Sequence, residues 1–245
     1  MPSLATSRLT VVTPWRRVID LIFPPRCGGC GAPGSLWCAA CQASLCDVPA
    51  PTCARCGEPG VPSRLCARCA SAPLTIDFVH SMTLYEGRIR HAIHRLKYQR
   101  LSALADPLGD ALSRFWQRVG VQATCIVPVP LHPDRQRERG YNQSELLARR
   151  VGQTAGIPVY PHALRRVRAT AAQMTLNAAE RRVNVAGAFH CDDPALRGAT
   201  VLLVDDVCTT ASTLEACAFT LKAAGATEVH GLTLARAQYA TDQAR

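Results

Sequence analysis

Long hydrophobic runs are missing from this chain. No stretch is long enough to cross a bilayer, and the apolar run 18–23 is too short for a signal peptide and is interrupted by Asp20. Neither a membrane span nor a secretory leader is expected. Lysine is almost absent: only Lys97 and Lys222 are lysines, so arginine carries nearly all of the net charge of +10. Such a charge suits phosphorylated ligands or nucleic acid, although a genomic bias toward Ala and Arg gives the same balance. Aromatic residues make up only 5% of the chain, which weakens the case for a stacking surface that reads single strands.

Cysteine is plentiful. There are 13, and eight of them form four Cys-x-x-Cys pairs: Cys27/Cys30, Cys38/Cys41, Cys53/Cys56 and Cys66/Cys69. Without a secretory signal this spacing favours metal over disulfides. Two thiolates from a tight turn grip one side of a zinc ion, and four close a tetrahedral site. Eight thiolates make two structural zinc sites. Local pairing, the first two pairs together and the last two together, is the expected partition, with an interleaved cross-brace as the alternative. Cys46 falls outside the spacing and reads as a spare thiol. A closed site of four thiolates leaves no position for water, so no metal catalysis is expected there. The module is too small for a core of its own and takes its stability from metal. Arg55, Arg64 and Arg68 could serve a nucleic-acid or protein contact, or the module could simply pack on the next domain.

The sharpest signal lies at 201–213. Four apolar residues, 201–204, form a strand with no polar face, as in a buried parallel sheet. Asp205 and Asp206 follow at its carboxyl end. Then come Thr209, Thr210, Ala211, Ser212 and Thr213, and a helical pattern over 214–224 closed by Gly225. Ligands of open α/β sheets sit past the carboxyl ends of strands, where a turn into a helix offers N–H groups to an anion. Two carboxylates can accept from vicinal ribose hydroxyls, and the hydroxyl loop can hold a 5′-phosphate. The stretch resembles the phosphoribosyl-pyrophosphate (PRPP) motif of type I phosphoribosyltransferases, which has glycine where this chain has Ala211. Alanine resists backbone angles that glycine accepts, so a looser loop or a weaker ligand is expected. The plainer reading is a Rossmann-like strand whose carboxylates cap the next helix.

Other elements follow from periodicity. Segment 78–85 reads as a strand and 86–98 as a helix with Ile89, Ile93 and Leu96 on one face. A second helix is expected over 101–119, with Pro107 forcing a break or a fresh start. Segment 124–129 is a strand, and 131–143 reads as a loop bearing Arg135 and Arg139 before a helix from Ser144. Arginines there could be simply solvent-exposed, but their place before a helix, in a chain with a PRPP-like loop, favours a diphosphate. Val159 centres a short strand, and 228–235 is a closing strand. Three units are expected: a tail with a short helix over 1–24, a double zinc-ribbon module over 25–72, and an α/β domain with a mainly parallel sheet over 73–240.

In order along the chain stand the Cys-x-x-Cys array, Leu96-Lys97-Tyr98, Val127-Pro128-Val129-Pro130 and Arg139-Gly140-Tyr141-Asn142-Gln143. After them come Gln173, Glu180-Arg181-Arg182-Val183-Asn184-Val185 with Gly187-Ala188-Phe189, and the acid pair. This series resembles the ComF family, the competence-protein-F or GntX-like phosphoribosyltransferase-like proteins. The resemblance implies a type I phosphoribosyltransferase-like fold that binds PRPP with magnesium. Asp205 and Asp206 would hold the ribose, residues 209–213 the phosphate, and Arg135 and Arg139 the pyrophosphate. A flap over PRPP would occupy 164–185. The resemblance also implies a cytoplasmic role in DNA uptake, with single-stranded DNA and a helicase as partners, in which the PRPP site is a sensor or a relic.

Overall fold

The computed structural model describes residues 24–168 and 187–238. The short helix expected before Pro24, most of the expected flap and the tail from Tyr239 lie outside the described residues. Two single-turn helices, α1 (Ala39–Ala43) and α2 (Ala67–Ser71), belong to the cysteine-rich segment. Then follow β1 (Phe78–Leu84), α3 (Gly87–Tyr98), a 3-10 turn (Ser102–Leu104) and α4 (Ala105–Val119). Next come β2 (Cys125–Pro128), α5 (Pro133–Arg139), α6 (Gln143–Ala155) and β3 (Leu164–Arg166). The chain closes with β4 (Phe189–Cys191), β5 (Thr200–Cys208), α7 (Ser212–Ala223) and β6 (Glu228–Arg236).

The main sheet runs β1-β6-β5-β2 with every pair parallel, and β3 pairs antiparallel with β4 in a separate ribbon. Residues 201–204 are buried throughout because β5 is central and both of its faces are covered. Val201 and Leu203 pack toward Leu214, Cys217 and Leu221 of α7. Leu202 and Val204 pack toward Ile93, Leu108 and Leu147 on α3, α4 and α6.

Three expectations change. The strand at 201–204 does not stop before the acid pair; β5 continues through both carboxylates to Cys208, because β6 pairs alongside it to Arg236. Residues 133–139 are not loop but a short helix. Pro133 starts it, His132 accepts the Asp134 N–H, and Gly140 ends it with a left-handed φ of 84°. Val159 makes a single parallel bridge to Ile126 rather than a strand. Pro107 sits in the first turn of α4, where its missing N–H costs nothing, so the fresh start falls just ahead of it.

The cysteine-rich segment wraps the exposed edge of β1. Its first half packs on the α3–α4 side, where Gly28 lies against Leu104 and Arg95 Nη1 donates to the Cys27 carbonyl at 3.0 Å. Its second half packs on the α7 side, with Cys53, Cys56 and Cys69 in the same apolar cluster as Val79 and Leu214. Between them the Leu84 N–H donates to Cys46 O and the Val79 N–H to Arg55 O, each at 2.9 Å. The β1 edge, a ready site for foreign strands, is thereby covered.

Candidate phosphate and metal sites

The eight paired cysteines form two clusters, Cys27/Cys30/Cys38/Cys41 and Cys53/Cys56/Cys66/Cys69, with all sulfurs of a cluster within 4.8 Å of one another. The local partition is the one the fold adopts. Sulfurs lie 3.6 Å apart for Cys27–Cys41 and 3.7 Å for Cys30–Cys38 and Cys56–Cys66. Four thiolates about 2.3 Å from zinc would stand roughly 3.8 Å apart, so the clusters fit a closed zinc tetrahedron. N–H groups support the sulfurs: Cys38 donates to Cys27 at 3.4 Å and Cys66 to Cys53 at 3.3 Å. Burial works against the Cys53 thiolate, but the N–H groups of Cys66, Cys56 and Arg55 pull it down to about 6. Bound zinc would supply rigidity here and no open coordination position.

At the carboxyl edge of the sheet the two acids part company. Neighbours on a strand face opposite ways. Asp206 turns toward α3 and is 2% exposed, and its Oδ1 meets Lys97 Nζ at 2.7 Å. Its Oδ2 is buried with no partner among the described residues. Burial opposes the Lys97 charge, yet Asp206 and then Asp205 raise its pKa above the ordinary lysine value. Asp205 is half-buried. Its Oδ1 accepts from Ser144 Oγ and from the Asp206 N–H, both at 2.8 Å. Burial and then the Asp206 charge push the Asp205 carboxyl up to about 7, against the pull of Lys97 and Ser144. The carboxylates therefore do not stand side by side at an open lip.

Beyond β5, Thr210 and Ser212 turn inward and share a hydroxyl contact of 2.7 Å, while Thr209 and Thr213 stay half-exposed. Ala211 adopts a left-handed φ of 62° directly before α7. The backbone shape expected of glycine is thus kept by alanine. Ala211→Gly removes left-handed strain of about 1 kcal/mol. It also deletes a buried methyl and frees the unfolded chain, an opposing effect of about 1 kcal/mol or slightly more. The expected change in urea unfolding is within about 1 kcal/mol; a loss of several would contradict the strain.

Arg135 is exposed on α5, and Arg139 lies 5.4 Å over the Tyr98 ring with its Nη1 on Gln143 Oε1. Arg166 on β3 completes the surroundings. Burial lowers its pKa, Asp205 partly offsets that, and Arg135 repels it. Asn142, buried at the start of α6, caps the Ser144 N–H and donates to Val129 O, each at 3.0 Å. Lys97, Ser144 and Arg166 were not among the expected site residues. Lys97 stands in the Leu96-Lys97-Tyr98 segment and Arg166 at the start of the expected flap, so both carry a signal, but neither is given a role at the site by the sequence alone.

Comparison with known proteins adds to this geometry. The double zinc ribbon domain family matches residues 18–70, and the phosphoribosyl transferase domain family matches residues 153–243. The DNA utilization protein YhgH of Salmonella typhimurium is 33% identical over 226 residues, covering 88% of this chain and 99% of that protein. Competence protein F of Haemophilus influenzae is 32% identical over 216 residues, 82% of this chain and 90% of that one. Competence protein ComFC of Bacillus subtilis is 24% identical over 207 residues, with 81% and 83% covered. Among the described residues no helix is long and apolar enough to cross a membrane. A double zinc ribbon joined to a phosphoribosyltransferase domain, with relatives of this kind matched along most of its length, places this chain in the ComF family.

Proposed function

We propose that the chain binds PRPP with magnesium at the carboxyl edge of β2 and β5 and transfers the phosphoribosyl group to an acceptor, releasing pyrophosphate. The observation that carries this reading is Asp205, a half-buried carboxylate hydrogen-bonded to Ser144 at the start of α6 and four residues ahead of Thr209, where the loop 209–213 begins. Two helix amino termini thus flank one acid, a setting that favours a phosphorylated sugar. Asp205 would accept from one ribose hydroxyl. Asp206, facing the other way and paired with Lys97, would contribute its charge and not a direct contact. Residues 209–213 with the start of α7 would hold the 5′-phosphate. Arg135 and Arg139 would meet the diphosphate, whose charge would relieve the repulsion between Arg135 and Arg166.

Magnesium, held chiefly by diphosphate oxygens and water, would neutralise the leaving group, and a nearby carboxylate suits it. The acceptor nucleophile attacks the anomeric carbon, and the bond to diphosphate breaks with its electron pair on the departing oxygen. Asp205 and Asp206 offset the positive charge that develops on the ribose, so the barrier falls through positioning and electrostatics. The test is thermal. Saturating PRPP and magnesium are expected to raise the wild-type unfolding temperature by roughly 5–10 °C and that of Asp205→Asn hardly at all. Equal shifts in both proteins, or none in either, contradict the site.

A second reading is favoured by Tyr98 and by the names of the relatives. This ring is 57% exposed, with His94 4.9 Å away and the Arg139 guanidinium above it. Such a platform suits a stacked base, as in a DNA-uptake protein that handles single-stranded DNA beside a helicase. Affinity for a labelled oligo-dT is then expected to fall steeply with salt, and by about tenfold in Tyr98→Ala, with Asp205→Asn unaffected. Unchanged binding by Tyr98→Ala removes this reading.

A further inference from the structure

Arg236, the last residue of β6, is fully buried. A guanidinium at a strand end ordinarily reaches for water; this one is committed to the neighbouring strand and to the cysteine-rich segment. Nη1 donates to the Cys56 carbonyl and, at 2.8 Å, to Cys208 Sγ, while Nη2 pairs with Glu58 Oε2. Its Nε has no partner among the described residues. Cys56 is a ligand residue of the second cluster. Cys208 ends β5, and Thr209 opens the phosphate loop. Beyond Arg236 the β5–β6 ladder continues, with the Ala237 N–H donating to the Cys208 carbonyl at 2.9 Å.

The cluster side of this link is built on the metal knuckle. The Cys53 N–H donates to the Glu58 carbonyl at 2.8 Å and the Gly57 N–H to the Cys53 carbonyl at 3.0 Å. Arg68 bridges Cys56 Sγ and Glu58. Gly57 presses on β1 so closely that a Cβ there would stand 2.3 Å from the Val79 carbonyl oxygen. A knuckle held by metal keeps Glu58 and the Cys56 carbonyl in place. A slack knuckle leaves the Arg236 charge buried without its partners, which is costly enough to force the side chain out. Its departure takes Nη1 off Cys208 Sγ and loosens the loop that follows the strand.

We infer that Arg236 is a positioning residue that ties the second cysteine cluster to the phosphate loop, so that metal held by Cys53, Cys56, Cys66 and Cys69 sets how firmly residues 209–213 grip a phosphoryl group. The ligand half of this inference rests on the PRPP reading above. The link itself rests only on the buried guanidinium and its partners. It makes the ribbon part of the binding site's support and not merely a cover for the sheet edge.

Arg236→Lys tests it in the full-length, zinc-loaded chain. Lysine keeps the charge but lacks the planar fork that reaches three partners. Calorimetric titration with PRPP and magnesium is expected to show affinity weakened by about tenfold, with both zinc ions retained. Amide exchange in 209–213 is expected to quicken. Arg95→Lys makes the same change at the first cluster, where Arg95 holds the Cys27 carbonyl, and is expected to stay within roughly twofold of wild type. Arg236→Lys with wild-type affinity and exchange overturns the inference, as does an equal loss in Arg95→Lys. Should the wild type itself bind no PRPP, the ligand reading fails and exchange alone decides the link: faster exchange in Arg236→Lys supports it, unchanged exchange overturns it. If Arg236→Lys does not fold, Glu58→Gln, which keeps an acceptor and removes the opposing charge, is read by the same two measurements.

Discussion

At pH 8, Asp205→Asn is expected to raise the unfolding temperature, and Asp206→Asn beside it to lower it sharply. Asp205 carries a charge in a place that resists it, since burial and the Asp206 carboxylate push its carboxyl up to about 7 from an ordinary 3.8. Between those values the folded chain holds a proton that the unfolded chain has released. Stability from this group therefore falls as pH rises from about 4 to about 7, and the cost is fully present above the folded value. Asparagine removes the charge and keeps an oxygen for Ser144 Oγ and the Asp206 N–H. The gain from Asp205→Asn should accordingly be large at pH 8 and nearly vanish at pH 4.

The substitution Asp206→Asn acts in the opposite sense. It is buried against Lys97 at 2.7 Å, and removing its charge leaves an ammonium without a counter-ion. Breaking a buried pair from one side costs about 3–5 kcal/mol. Lys97→Met leaves the partner charge stranded and is expected to cost a similar amount. The double change Lys97→Met/Asp206→Asn should recover much of the loss. Thermal and urea unfolding at pH 5 and pH 8 check all four proteins. Equal destabilisation by Asp205→Asn and Asp206→Asn would contradict the division of labour between the acids.

Stripping both metals is expected to unfold the phosphoribosyltransferase domain together with the ribbons. Each half of the cysteine-rich segment is packed into the core on its own side of the sheet, through Leu104 and Arg95 on one side and Val79, Leu214 and Arg236 on the other. A structural zinc site is worth about 10–16 kcal/mol in small ribbons, whereas whole domains are stable by about 5–15 kcal/mol. The ribbons have little core of their own to fall back on. A strong chelator should therefore release two zinc ions per chain and abolish the cooperative transition seen by circular dichroism. Metal-free protein that keeps its transition at the original temperature would show that the domain stands without the ribbons.

What the sequence made legible was local. Cys-x-x-Cys spacing limits which thiolates meet, and it led to both clusters and their partition. The apolar run 201–204 marked the central strand β5, the hydroxyl loop marked the turn into α7, and the usual glycine at 211 pointed to the left-handed position that Ala211 occupies. The remainder depends on residues far apart in the chain. Whether an acid at a strand's end faces a ligand or the interior is set by what stands opposite, and Lys97 on α3 settles that for Asp206. The helix 133–139 was hidden by its charge, because a polar segment with no buried residue has no apolar stripe to read. Arg236 looks like any residue closing a strand until the ribbon is folded over it.

Whether Asp205 takes the ribose while Asp206 remains anchored to Lys97 is read directly from a crystal structure of the full chain grown with PRPP and magnesium. The ribose is expected within hydrogen-bond distance of Asp205, the 5′-phosphate on residues 209–213, and the Lys97–Asp206 pair intact. Sugar bound with Asp205 turned away, or no ligand at that edge of the sheet under saturating conditions, would contradict this assignment.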